Sequence, residues 1–215
     1  ALTGAASSNL LKAGGTMTGD LILGDNVKLE IGSASGGDLQ IYHDGSNSYI
    51  DDAGTGNMFL RGSASIELRK AGGTEKMLYA EPDAQVELYH DNSKKFETTA
   101  VGVTVTGTII ATTDTDTSNT GNVTLDFAAN QNFVLTLTGN TTLVNPTTEQ
   151  VGQSGFIAFI QDGTGGRTIT LGTDYETAGG IGITLTSAAS KTDLVPYVVV
   201  AAGRILLGQP QKNFS

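Results

Sequence analysis

Short runs of alternating apolar and polar residues, each closed by Gly, Asp, Asn or Ser, recur along the chain. LQIYHDGSNSY (Leu39 to Tyr49) returns as VELYHDNSKKF (Val86 to Phe96), with Tyr89 answering Tyr42 after 47 residues. Between them, IELRKAGGTEKM (Ile66 to Met77) has the same plan with a loop one residue longer. Alternation with period two predicts strands, and the turn residues between paired runs predict β-hairpins. A lone hairpin buries one face at most and is marginal in water, so these hairpins are expected to stack on one another or on other chains.

The second half alternates more cleanly, in VTLDF (Val123 to Phe127), FVLTLTG (Phe133 to Gly139), GFIAFIQD (Gly155 to Asp162), RTITL (Arg167 to Leu171), IGITLT (Ile181 to Thr186), PYVVVAAG (Pro196 to Gly203) and RILLG (Arg204 to Gly208). Turns such as Gly139-Asn140, Asp162-Gly163 and Gly179-Gly180 separate these runs, which is the pattern of a β-sandwich or jelly roll. Charge density drops near residue 107, from eight basic and fourteen acidic residues before it to four and eight after it. GTIIATTDTDTSNTG (Gly107 to Gly121) has no apolar face and reads as a linker. The expected organisation is a helix-and-strand connector over 1–24, a β-hairpin repeat shaft over 25–107, a linker over 108–120 and a β-sandwich or jelly-roll-like domain over 121–215. The fold class is mostly β.

Composition supports this and removes several functions. Twenty-nine glycines supply the positive-φ positions of many tight turns. With no cysteine there is no disulfide framework, thiolate metal site or thiol nucleophile. A net charge of −10 opposes the neutralisation of phosphates by Lys and Arg, so neither nucleic acid nor an anionic membrane is an expected partner. The longest apolar stretch, Leu194 to Ala202, is broken by Pro196 and is about half of the roughly 20 residues a membrane helix needs, so no membrane insertion is expected. Ala1 to Asn9 lacks the basic and apolar regions of a signal peptide.

Candidate chemistry is sparse. Tyr42-His43-Asp44 and Tyr89-His90-Asp91 contain metal-ligating residue types, but neighbours in a strand point to opposite faces and cannot serve one ion. Asp51-Asp52 and the pair Asp114 and Asp116 lack the ligand spacing of a calcium loop and read as solvated turns. There is no G-x-S-x-G elbow. QDGTGGR (Gln161 to Arg167) lacks the Lys-Ser/Thr of a phosphate cradle and leads into a strand, so it reads as a hairpin tip. No catalytic residue, metal or cofactor is expected, and the chain is read as a non-enzyme.

Three segments carry a family resemblance. AGGTMTGDLIL (Ala13 to Leu23) resembles a module of phage tail fibres that introduces a trimeric β shaft. IYHDGSNSYI resembles segments of structural proteins from phages of marine bacteria. The run from GNVTLDF through QDGTGGRTITLG to PYVVVAAGRILLG resembles a β-domain that closes many tail fibre and tail spike proteins. The resemblance implies a homotrimeric virion tail component that contacts other phage virion proteins at its N-terminal end. At the other end it implies contact with a bacterial surface polysaccharide or outer-membrane receptor. The alternatives are a head fibre, decoration or tail-assembly adaptor protein of the virion, and a capsule-degrading tail spike. Aromatic residues are only 6% of the chain, with no Trp, so contact is expected through polar loop residues, Asp162, Thr164, Arg167, Asp174 and Tyr175. Three subunits would multiply such weak contacts by avidity.

Overall fold

The computed structural model describes residue 16 and residues 18–32 and 36–215. It divides into two compact units, Ala1–Thr106 and Gly107–Ser215. Among the described residues every regular element is a strand, apart from one 3-10 turn at Ala178–Gly180. The helix expected near the N-terminus falls on residues outside those described, and residues 18–28 form no strand.

In the first unit, β1 (Leu29–Ile31), β2 (Leu39–His43) and β3 (Ser48–Asp52) make a three-stranded antiparallel sheet. The strands β4 (Ile66–Arg69), β5 (Lys76–Ala80), β6 (Val86–His90), β7 (Ser93–Thr99) and β8 (Gly102–Val105) follow one another as a five-stranded meander. All three expected hairpins form, as β2–β3, β4–β5 and β6–β7. The two similar sequences turn differently. Asp44 closes a four-residue turn by accepting the Ser46 and Asn47 amides at 2.8 and 2.7 Å, with the Tyr49 hydroxyl donating to its other oxygen. In the second copy Asp91 and Asn92 both take positive φ, 49° and 57°, the two-residue turn that matches strand twist.

The meander has two unlike faces. On one, Glu67, Tyr79, Glu87 and Glu97 lie in register across four strands, with Lys94 bridging Glu87 and Glu97 and Arg69 paired to Glu67. On the other, Leu68, Leu78, Leu88, Phe96 and Val105 form one apolar row across all five strands. Leu68, Leu88 and Val105 in that row are 53%, 43% and 39% exposed. The smaller sheet repeats the pattern with the exposed row Leu29, Ile41 and Ile50.

The second unit holds the buried core of Leu125, Phe127, Phe133, Leu135, Leu137, Leu143, Ile157, Phe159, Tyr175, Val195, Tyr197, Val199, Ile205 and Leu207. Its eight strands are β9 (Thr113–Val123), β10 (Asn132–Leu143), β11 (Ser154–Gln161), β12 (Ile169–Leu171), β13 (Tyr175–Thr177), β14 (Thr192–Ala201), β15 (Arg204–Leu207) and β16 (Gln211–Phe214). The long central strand β10 runs parallel to β9 on one side, and on the other to β11 along its first half and β12 along its second. β14 is antiparallel to β11, β15 and β16, and β13 is parallel to β15.

Two expectations need correction. Residues 113–120, taken for linker, belong to β9, which pairs with β10 over most of its length. A strand of Thr, Asp, Ser and Asn is possible here because its main chain is satisfied by β10, and because buried Asn119 donates to the Asp116 and Thr136 carbonyls. The jelly-roll-like arrangement is replaced by a mixed sheet with four parallel pairings, whereas a jelly roll is antiparallel. Parallel neighbours require crossovers, and these supply core. VTLDF leaves the sheet after Val123, and the crossover itself inserts Leu125 and Phe127, 1% and 2% exposed. IGITLT forms no strand, although Ile183 and Leu185 still pack on the core.

Candidate functional site

The β11–β12 connection, residues 162–168, is fixed from both ends. Buried Gln161 clasps Arg167, accepting its amide at 2.8 Å and donating to its carbonyl at 2.9 Å. Within that clasp Asp162 accepts the Thr164 and Gly165 amides at 3.0 and 2.8 Å and the Arg167 guanidinium at 2.8 Å. The Arg167 guanidinium, followed by the Gly165 amide, holds the Asp162 carboxyl down to about 2. Gly165 and Gly166 take φ of 74° and 75°, and a Cβ on Gly165 would sit 2.5 Å from the Ser187 carbonyl oxygen. The loop is therefore built around its own ion pair. Thr164 is exposed, while Asp162 and Arg167 are half-buried and neutralise one another.

Asp174 lies beyond the far end of β12, where its amide donates to Asn145 at 3.1 Å and Asn145 also holds the Thr173 hydroxyl at 2.7 Å. Tyr175, expected as an exposed loop residue, is corrected to a core residue. It begins β13 in register with Ile205 and is 5% exposed, and burial pushes its phenol well above the ordinary tyrosine range. The five expected contact residues thus fall into two groups at the two ends of β12, with Tyr175 turned inward.

Between those ends lies a cleft of about 660 Å³ that sequence reading missed, with walls from β12, β13 and residues 180–183. Thr170, Glu176 and Thr177 supply polar groups, and Ile169, Ile181 and Ile183 supply apolar ones. Gly179, Gly180 and Gly182 have φ of 70°, 66° and 70°, which carries the chain around the opening instead of along β12. Glu176 is paired with Arg204 at 2.7 Å, and this partner lowers its carboxyl below the usual range. The signal available in the sequence was the Gly179-Gly180-Ile181-Gly182 spacing, which breaks the alternation just ahead of ITLT.

The Tyr-His-Asp segments serve their turns. Tyr42 stacks on Tyr49 at 4.7 Å, and His43 Nδ1 lies 3.0 Å from the Gly45 amide. Asp51 and Asp52 occupy opposite faces of β3. Among the described residues no three His, Asp or Glu side chains converge as metal ligands.

Comparison with known proteins places the second unit. Residues 111–204 match the family model described as "Putative phage tail fibre C-terminal domain", a span running from the residues just before β9 to the first residue of β15. No curated protein and no solved structure matches the chain. The matched span contains strands β9 to β14 of the mixed sheet, the 162–168 loop and the cleft beside β12, and over it the chain is similar to the C-terminal domain of phage tail fibres, a component of the virion tail.

Proposed function

We propose that the chain is a non-enzymatic, homotrimeric tail fibre component that carries attachment to the bacterial surface. Its first unit is the shaft and its second the contact domain. The observation that carries this reading is the tail fibre match over the unit that holds the cleft and the rigid polar loop. Trimerisation draws on the apolar rows of the first unit, because a sheet face of Leu68, Leu88 and Val105 left in water forgoes roughly 25 cal/mol per Å² of burial. Identical chains have identical rows to offer.

The ligand class is a bacterial surface polysaccharide or outer-membrane receptor. It meets Thr164 on the loop and Thr170, Glu176 and Thr177 in the cleft, through weak contacts multiplied by three. The test is competition. Host cells preincubated with the purified chain are expected to adsorb less phage, and T170K with T177K, which fill the cleft, are expected to abolish that protection. Undiminished adsorption at saturating protein would refute the attachment role. New reducing ends released from host polysaccharide would refute the non-enzymatic reading.

A further inference from the structure

β12 is an edge strand whose one ladder partner is β10. The Thr141 amide donates to the Thr168 carbonyl at 3.0 Å, and the Gly172 amide donates to the Leu143 carbonyl at 2.7 Å. In that parallel register the main chain of Thr168, Thr170 and Gly172 serves β10, so the N–H and C=O groups of Ile169 and Leu171 point the other way, into the cleft. The segment on the far side does not take them up. The Gly166 amide donates to the Ser187 carbonyl at 2.8 Å, which begins an antiparallel pairing between β12 and IGITLT. Continued in that register, the pairing would set inward Ile169 opposite outward Thr184 and outward Thr170 opposite inward Ile183. A pairing one residue out of phase turns an apolar face to solvent, and the ladder stops at its first bond. Among the described residues, the main chain of Ile183, Thr184 and Leu185 makes no hydrogen bond. A cavity of about 270 Å³ lies between residues 166–169 and 183–187 and shares Ile169 and Ile183 with the 660 Å³ cleft. One groove therefore follows the free edge of β12 and widens away from the Gly166–Ser187 bond.

We infer that an extended polypeptide segment of a bacterial surface protein seats in the wide end of this groove as an added strand beside β12. The inference rests on the attachment reading above and narrows its ligand class to protein. Main-chain complementarity selects that occupant. The unpaired N–H and C=O groups of Ile169 and Leu171 repeat at about 6.6 Å along a straight edge, the spacing at which an extended peptide presents its own donors and acceptors. The walls select its side chains. Alternate positions of the added strand lie on the core side with Ile169, Leu171 and Ile183 and take apolar residues, and the positions between them lie on the outer side with Thr170 and take polar ones. Charge restricts it further. Glu176 at the rim is already paired with Arg204, and a chain of net charge −10 disfavours an acidic segment.

The test uses the full-length chain, fluorescently labelled, on host cells in three states: untreated, shaved with a protease, and oxidised with periodate. Binding is expected to fall at least about tenfold on shaved cells and to persist on oxidised ones. Binding that survives shaving and is lost to periodate overturns this inference and leaves the attachment reading standing, whereas no binding to untreated cells overturns the attachment reading itself. I169P removes a groove-facing N–H while leaving the bonds to β10 in place, as an edge strand permits. It is expected to lower binding to untreated cells at least about tenfold, with the Thr170 and Gly172 amides still protected from hydrogen exchange. I169V keeps the N–H and is expected to bind within about twofold of the unsubstituted chain. If I169P loses that protection, L171P, which removes the other groove-facing N–H, takes its place. Undiminished binding by a proline variant that keeps its β10 ladder overturns the strand pairing.

Discussion

Asp162 shows how one residue can build a loop and at the same time be withdrawn from recognition. Its carboxylate is held at about 2, against an ordinary 3.8, by Arg167 and then by the Gly165 amide. A carboxyl whose pKa falls on folding stabilises the fold above its unfolded value, and that contribution is lost as pH falls through the folded one. Hydrogen-exchange protection of the Thr164 and Gly165 amides is therefore expected to be complete above about pH 4 and to fade between about pH 4 and pH 2. D162N should remove that pH dependence, and protection persisting unchanged to pH 2 would contradict the assignment. Glycine in this loop is equally specific. Gly165 has a positive φ and meets Ser187, whereas a Cβ on Gly163 meets nothing within 4 Å. G165A is expected to cost about 1–3 kcal/mol and G163A close to nothing, read as shifts in urea midpoint.

Elements whose instructions are local could be read from the sequence, and those whose instructions come from a distant partner could not. The hairpins around Asp44 and Asp91 follow from alternation and turn chemistry within a dozen residues, and β10, β11 and β14 follow from long apolar alternation. β9 was hidden because Thr113 to Thr120 has linker composition and becomes a strand only by lying beside β10. IGITLT alternates like a strand but finds no ladder partner, so it packs Ile183 and Leu185 inward as extended coil. The cleft was hidden for the same reason, since one of its walls is that segment. The two units should also answer truncation differently. F133A removes a fully buried ring and is expected to cost about 3–5 kcal/mol whatever the state of association. L88A removes a side chain that is 43% exposed in the single chain, where the loss should be under about 0.5 kcal/mol. In an assembly that covers the row it should cost about 2–3 kcal/mol, so the size of the L88A effect reports directly on whether the meander's apolar face is buried.

At the scale of the whole molecule, an acidic chain with uncovered apolar rows sets repulsion against burial, and ionic strength separates the two. Each copy has 22 acidic and 12 basic residues, so bringing copies together concentrates negative charge. Salt screens that repulsion, with a Debye length of about 30 Å at 0.01 M falling to about 10 Å at 0.1 M, while burial of Leu68, Leu88 and Val105 is not weakened by screening. The ion pairs among Glu67, Arg69, Glu87, Lys94 and Glu97 lie on the opposite face of the same sheet and are satisfied within one chain. If the apolar face is the interface, raising sodium chloride from 0.01 to 0.3 M should stabilise the assembly and lower the protein concentration at which it dissociates in sedimentation equilibrium. If the charged face were the interface, its ion pairs would have to exchange between chains, and the same addition of salt would weaken association. If the chains associate through the meander, the sign of the salt dependence identifies which face they share, and only a shift toward tighter association is consistent with a shaft closed by the Leu68–Val105 row.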